Sequence, residues 1–330
     1  MKALTFSKFG SPDVLEYIEI AKPQIKDNEI LLKNKAIGLN FADIYRRKGN
    51  YHLKGEPPFI AGYEGAGIVV ESKSDKYKVG DKIAYTDVPF SNAEFITIPD
   101  THAIPIPNNI DYPLAASVLL QGLTAHYLCS DSYNVKSGET ILIHAASGGV
   151  GQVLIQLCKS KGATVIGLSR NKDKLKTILN CKADYAIELN DNWKTQIMNI
   201  TNQKGVDVVF DSVGSTLMDS FEVTKDCGHV VFYGMSGGDP KPVDPRMLMD
   251  TSKTLSGGDL WSYLTNEKER RTRAKKLFQL IKDGVVKIKE PVQFKLSEGK
   301  SAHEFLEDGK SSSKILLIPD SEIKSTHNKN

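Results

Sequence analysis

The sequence predicts an α/β protein of two domains, one β-rich and one built on a doubly wound parallel sheet. Three observations predict it. Residues 1 to about 120 read as short strands broken by Gly and Pro. From about Gln121 the pattern changes to strand–helix units whose strands are near-continuous apolar runs. Such runs suit a parallel sheet buried on both faces. Between the first of those strands and the next helix lies Ala145-Ala146-Ser147-Gly148-Gly149-Val150-Gly151, a glycine turn in strand–turn–helix context.

In chain order, strands are expected over Glu29 to Leu39, Gly65 to Glu71, Asp81 to Tyr85 and Ala93 to Ile98. The turn Val79-Gly80-Asp81 and the prolines at 99, 105 and 107 separate them and point to an irregular barrel or sandwich. A helix over Gln121 to Ser130 opens the second domain. Its strands are Ile141-Leu142-Ile143, Thr164-Val165-Ile166, Val206 to Phe210 and His229 to Tyr233. Right-handed crossovers then make a doubly wound sheet the economical topology. Ligands of such sheets sit at the carboxyl ends of the strands. That rule gathers Ser147, Ser169, Asp211-Ser212-Val213-Gly214 and Gly234-Met235 around one crevice. A charged helix over Glu267 to Ile281 carries an apolar face of Ala274, Leu277, Phe278 and Ile281. A strand over Lys314 to Ile318 closes the fold, and residues 320–330 are expected to fray as a polar tail.

Composition excludes several functions. The 330 residues carry 43 basic and 40 acidic side chains, a net charge of +3. That balance argues against nucleic-acid or membrane partners. No apolar run approaches the roughly 20 residues of a membrane span, and Met1 to Phe6 lacks the apolar core of a signal peptide. Cys129, Cys158, Cys181 and Cys227 are scattered, with no C-x-x-C pair, as expected of idle thiols in a reducing cytoplasm.

The glycine turn is a variant of G-x-G-x-x-G with Ala146 in the first place, then Gly148 and Gly151. Backbone N–H groups of Ser147 to Gly151 and the dipole of the following helix suit a pyrophosphate. The end of the second strand selects the cofactor. An NAD site offers Asp or Glu there for the ribose 2′-hydroxyl. This chain offers Ser169-Arg170-Asn171-Lys172-Asp173-Lys174. Arg170 and Lys174 would pair with a 2′-phosphate and Ser169 would hydrogen-bond it, so NADPH is the expected cofactor.

Further landmarks are Gly38-Leu39-Asn40-Phe41-Ala42-Asp43, Ala61-Gly62-Tyr63-Glu64-Gly65-Ala66-Gly67, Gln121-Gly122-Leu123-Thr124-Ala125 and Asp211-Ser212-Val213-Gly214. With the glycine turn, they give the chain a resemblance over nearly its whole length to zinc-free quinone oxidoreductases of the zeta-crystallin type. These lie in the medium-chain dehydrogenase/reductase superfamily. The resemblance implies a GroES-like catalytic domain (1–120, resumed at 265–319), an inserted Rossmann nucleotide domain (121–264) and a homodimer. It places Asn40, Tyr45 and Tyr51 at the acceptor, with Asn40 or Tyr45 bonding its developing oxyanion. It places Phe41, Thr124 and Tyr127 with the cofactor.

Zinc-dependent relatives carry Gly-His-Glu where this chain has Gly62-Tyr63-Glu64, and a cysteine ligand where it has Asn40 to Asp43. Their four-cysteine lobe is also missing, so no metal is expected. Acceptors that take a hydride readily, quinones or activated alkenes, replace alcohols as expected substrates. Three functions follow: a quinone reductase, an alkenal or enone reductase, or an NADPH-binding structural or regulatory protein. Two departures stand out. Leu189 occupies a place where many relatives have a tyrosine near the adenosine, with Tyr185 four residues earlier, and Gly309 replaces a frequent arginine.

Overall fold

A computed structural model of the chain describes residues 1–323. It divides into two compact units. One holds Met1–Leu120, Leu264–Lys275 and the described residues from Lys289 onward; the other holds Gln121–Tyr263 and Lys276–Ile288. In order, the chain forms β1 (Lys2–Phe6), β2 (Glu16–Glu19), β3 (Glu29–Leu39), α1 (Phe41–Arg47), β4 (Phe59–Ile60), β5 (Glu64–Ser72), β6 (Lys82–Thr86), β7 (Phe95–Pro99), β8 (Ile104–Pro105) and α2 (Tyr112–Tyr127). It continues with β9 (Thr140–Ile143), α3 (Gly149–Ser160), β10 (Thr164–Ser169), α4 (Leu175–Asn180), β11 (Tyr185–Glu188), α5 (Trp193–Ile200), β12 (Val206–Asp211), α6 (Leu217–Glu222), β13 (Thr224–Phe232), α7 (Pro245–Thr251) and β14 (Thr254–Gly257). It ends with α8 (Glu267–Lys282), β15 (Val292–Lys295), α9 (Gly299–Glu307) and β16 (Ile315–Ile318).

In the first unit, β3 is the hub. It pairs with β5, β7 and β16, all antiparallel. Leu4, Phe6, Ile37, Leu39, Ile315 and Leu317 fill one core, and Ile30, Leu32, Val69, Ile83 and Ile96 fill another. Burying each such side chain contributes roughly 1.5–3 kcal/mol, which makes β3 a rigid support for the residues at its end. The register Ile315↔Leu39 brings the start of β16 to the end of β3. Asp320–Glu322 form a short 3₁₀ turn after β16. There Glu322 pairs with Lys33 at 2.7 Å and Lys35 at 2.5 Å, so the expected tail begins docked. The rest of that tail, 324–330, lies outside the described residues.

The second unit holds the expected doubly wound sheet, in the order β11-β10-β9-β12-β13-β14 with every pairing parallel. This order reverses direction between β9 and β12, the point where such sheets bind ligands. Ile141, Leu142, Ile143, Val208, Val209 and Phe210 are all fully buried, which explains their unbroken apolar runs.

Two boundaries differ most from expectation. α2 starts at Tyr112, not Gln121, because the Asp111 carboxylate accepts the Leu114 N–H at 2.8 Å and Pro113 lies in the first turn. It ends at Tyr127 and runs into a π turn, Leu128–Ser132. β13 starts at Thr224 rather than His229, across a register shift against β12. Among the described residues no helix is long and apolar enough to cross a membrane, and no disulfide joins any of the four cysteines.

Candidate active site

The glycine turn is the link between β9 and α3. Gly148 is the N-cap of α3 and no side chain caps that end, so the first N–H groups of the helix have no intrahelical partner. A Cβ at Gly151 would lie 2.6 Å from Ala146 Cα, and one at Gly149 would lie 1.9 Å from Gln121 Oε1. Gly151 therefore lets the helix approach the turn closely, and Gln121 lies directly against the cradle. The left-handed residue of the turn is Ala145 (φ 47°), not a glycine. Ser147 Oγ and Ser169 Oγ are 3.3 Å apart, joining the ends of β9 and β10.

The facing loops are built around Asp211. Its carboxylate accepts the N–H groups of Val213 and Gly214 and the hydroxyls of Thr216 and Ser220. Burial pushes this carboxyl up, but His144, Ser220 and the two N–H groups together hold it below its ordinary value. Ser220 also bonds His144 Nε2 at 3.0 Å. Ser236 and Gly237 donate to Ser212 and Val213 carbonyls, which seats Gly234 and Met235 beside Ser212. These groups and an uncapped helix terminus fit a dinucleotide pyrophosphate. Ser147 to Gly151 would hold it, with Ser212, Gly234 and Met235 alongside.

At the end of β10, Ser169 Oγ donates to the Asn171 carbonyl and accepts the Asn171 N–H. Asn171 in turn caps the Lys172–Lys174 turn through the Asp173 N–H. Arg170 is exposed and has no ion pair among the described residues. Leu189 packs against the Leu168–Ile187 core, and Tyr185 is exposed. Thr124 and Tyr127 are buried, and Tyr127 stacks on Tyr263 at 4.4 Å between ring centroids.

The residues expected at the acceptor belong to the first unit. Phe41, Tyr45 and Tyr51 form an aromatic run, 6.3 Å between successive centroids. Asn40 caps α1: its N–H donates to Asp43 Oδ2 at 2.9 Å. Its side chain is committed elsewhere. Nδ2 donates to Glu64 Oε2 (2.9 Å) and the Gly38 carbonyl (3.3 Å), and Oδ1 accepts from Lys314 Nζ (2.6 Å). Asn40 was expected to donate to an oxyanion; both of its amide N–H groups are already in use. Lys314 also pairs with Glu64 at 2.7 Å, almost wholly buried.

Tyr63 stands where a zinc-holding histidine was considered. It is buried, and the Arg46 guanidinium lies over its ring at 3.6 Å. Arg46 is wholly buried, pairs with Asp43 at 3.1 Å, donates Nε to the His52 carbonyl and lies 5.1 Å from the Tyr51 ring. Burial pushes the Asp43 carboxyl up against the pull of Arg46. Among the described residues no group of three His, Cys, Asp or Glu side chains could hold a metal. Sequence reasoning missed Arg46, Asp43, Glu64, Lys314 and Gln121 as site residues. Asp43, Glu64 and Gln121 lay inside quoted motifs and Lys314 ends the basic segment Lys310-Ser311-Ser312-Ser313-Lys314 before the last strand, but nothing local marked Arg46.

The fold defines a nucleotide-dependent oxidoreductase with a GroES-like domain. Residues 26–108 match the family model described as alcohol dehydrogenase GroES-like domain, and 149–279 match zinc-binding dehydrogenase. A quinone oxidoreductase of Pseudomonas aeruginosa is 34% identical over 96% of this chain and 99% of its own. A 2-haloacrylate reductase of Burkholderia is 32% identical over 96% and 98%. The crystal structure of Escherichia coli quinone oxidoreductase complexed with NADPH superposes with a TM-score of 0.91 at 33% identity, covering 97% of this chain and 100% of that one. The chain belongs to the quinone oxidoreductase family of the medium-chain dehydrogenase/reductase superfamily.

Proposed function

We propose that this protein is a zinc-independent NADPH:quinone oxidoreductase. The observation that carries the reading is the similarity at 34% identity, along 96% of the chain, to a protein of that name. NADPH supplies the hydride. The residues proposed to hold it are Phe41, Thr124, Tyr127, Ser147, Gly148, Gly149, Val150, Gly151, Ser169, Arg170, Lys174, Ser212, Gly234 and Met235. The uncapped α3 terminus takes the pyrophosphate charge, and Arg170 and Lys174 take the 2′-phosphate. Asn40, Tyr45 and Tyr51 are the acceptor residues, with a tyrosine hydroxyl bonding the reduced oxygen and delivering its proton.

The second reading, reduction of an activated C=C bond, is favoured by the similarity to a 2-haloacrylate reductase. Initial rates of NADPH oxidation with benzo- and naphthoquinones, set against α,β-unsaturated ketones and acids, separate the two. Faster quinone turnover supports the first reading; turnover of alkenes alone replaces it. Tight NADPH binding with no acceptor consumed returns the protein to a structural or regulatory role. We also assign it to the cytoplasm as a homodimer, with β14, the edge strand of its sheet, open to a second copy. Light scattering of the purified chain tests that state.

A further inference from the structure

Four buried charges of the first unit converge on Asn40. Asp43 and Arg46 reach it through its backbone N–H, and Glu64 and Lys314 grip its side chain. An ammonium only donates and a carboxylate only accepts. Lys314 on Oδ1 and Glu64 on Nδ2 therefore dictate which way the amide faces. The surroundings are shaped for this grip. A Cβ at Gly38 would lie 2.3 Å from Glu64 Oε2, so only a glycine leaves room for the carboxylate. The Leu120 N–H donates to the other oxygen, Oε1, at 2.7 Å. The β3–β16 register brings Lys314 to Asn40 across 274 residues of sequence. A buried ion pair adds little net stability over apolar residues of like volume, so orientation is what this pair contributes.

We propose that Lys314 is a positioning residue for the acceptor reaction: paired with Glu64, it holds the amide of Asn40 in one orientation. The inference rests on the proposed role of Asn40 at the acceptor. With both N–H groups spent, Asn40 keeps one Oδ1 lone pair. That lone pair accepts a hydrogen bond from the hydroxyl that the reduced acceptor carries once a tyrosine has delivered the proton to its oxyanion.

A kinetic double-mutant cycle on the full chain tests this. Lys314→Met, Asn40→Ala and their combination are compared for quinone kcat and KM and for NADPH Kd by fluorescence titration. Lys314→Met is expected to lower kcat/KM for the quinone by about 10- to 100-fold, with NADPH Kd changed less than about twofold. Adding Asn40→Ala to it should cost little more, since both remove one unit. Lys314→Met strands the Glu64 charge, so Lys314→Met/Glu64→Gln, which discharges both, serves if the single variant does not fold, and it should show the same loss. If Asn40→Ala slows turnover while the Lys314 variants do not, or if the losses multiply, the positioning role is overturned and the role of Asn40 stands. If Asn40→Ala leaves turnover unchanged, the reading of Asn40 fails and this inference falls with it.

Discussion

The Arg46 guanidinium lies over the Tyr63 ring, 3.6 Å from its centroid, and it ties Asp43 and the His52 carbonyl to the same point. A buried cation thus sits beside the position where relatives of the zinc type carry a histidine. Arg46→Leu leaves Asp43 buried without its ion pair and frees the loop that carries Tyr51. Stability should fall by roughly 3–5 kcal/mol and KM for the quinone should rise. Arg46→Lys should recover little, because a lysine cannot bond Asp43 and His52 in a planar fork while stacking. Denaturant unfolding and quinone titrations check both.

The basic end of β10 is proposed to carry the cofactor preference. Arg170→Glu places a carboxylate where a 2′-phosphate would lie. The NADPH-to-NADH ratio of kcat/KM should drop at least about tenfold, as expected when a charge-assisted contact becomes repulsion. Arg170 is exposed with no ion pair among the described residues, so stability should hold. An unchanged ratio would remove Arg170 from the phosphate site.

Two glycines of the cradle should behave differently. A Cβ at Gly151 meets backbone at 2.6 and 2.7 Å, whereas one at Gly148 meets only the Ala145 carbonyl, at 3.2 Å. Gly151→Ala should cost about 1–3 kcal/mol of stability together with NADPH binding. Gly148→Ala should keep the fold and lose NADPH affinity. Thermal melts and fluorescence titrations separate the two effects.

Much of this was legible in advance, for local reasons. The strands of the second unit are buried on both faces, so their apolar runs announced them. The glycine turn is a contiguous motif and marked the switch point of the sheet. The start of α2 was not legible, because its segment from Leu114 to Leu120 is apolar and mostly buried, without the period of a half-exposed helix. The grip on Asn40 was hidden for another reason. Glu64 and Lys314 are 250 residues apart and meet only through the pairing of β16 with β3. Arg46 is in sequence a charge on a short helix like any other, and only the fold lays it over Tyr63.

Two histidines contribute to an acid limit on stability. Burial, with the Arg47 charge, lowers His303 to about 3, and burial, with Arg270, lowers His102 to about 4. In the unfolded chain both titrate near 6.5. Below that pH the unfolded state binds more protons, so stability is full above about 6.5 and falls as pH drops towards 4. Each histidine contributes a slope of up to about 1.4 kcal/mol per pH unit. Urea unfolding at pH 7.5, 6 and 5 measures it, and the slope should shrink in His303→Gln.

The most direct test of the central claim is the rate of NADPH oxidation with a simple benzoquinone, before and after exhaustive chelation. The account predicts clear turnover that chelation leaves unchanged, because Tyr63 stands where zinc-dependent relatives carry a histidine ligand. Loss of turnover on chelation, or none with any quinone at saturating NADPH, would contradict it.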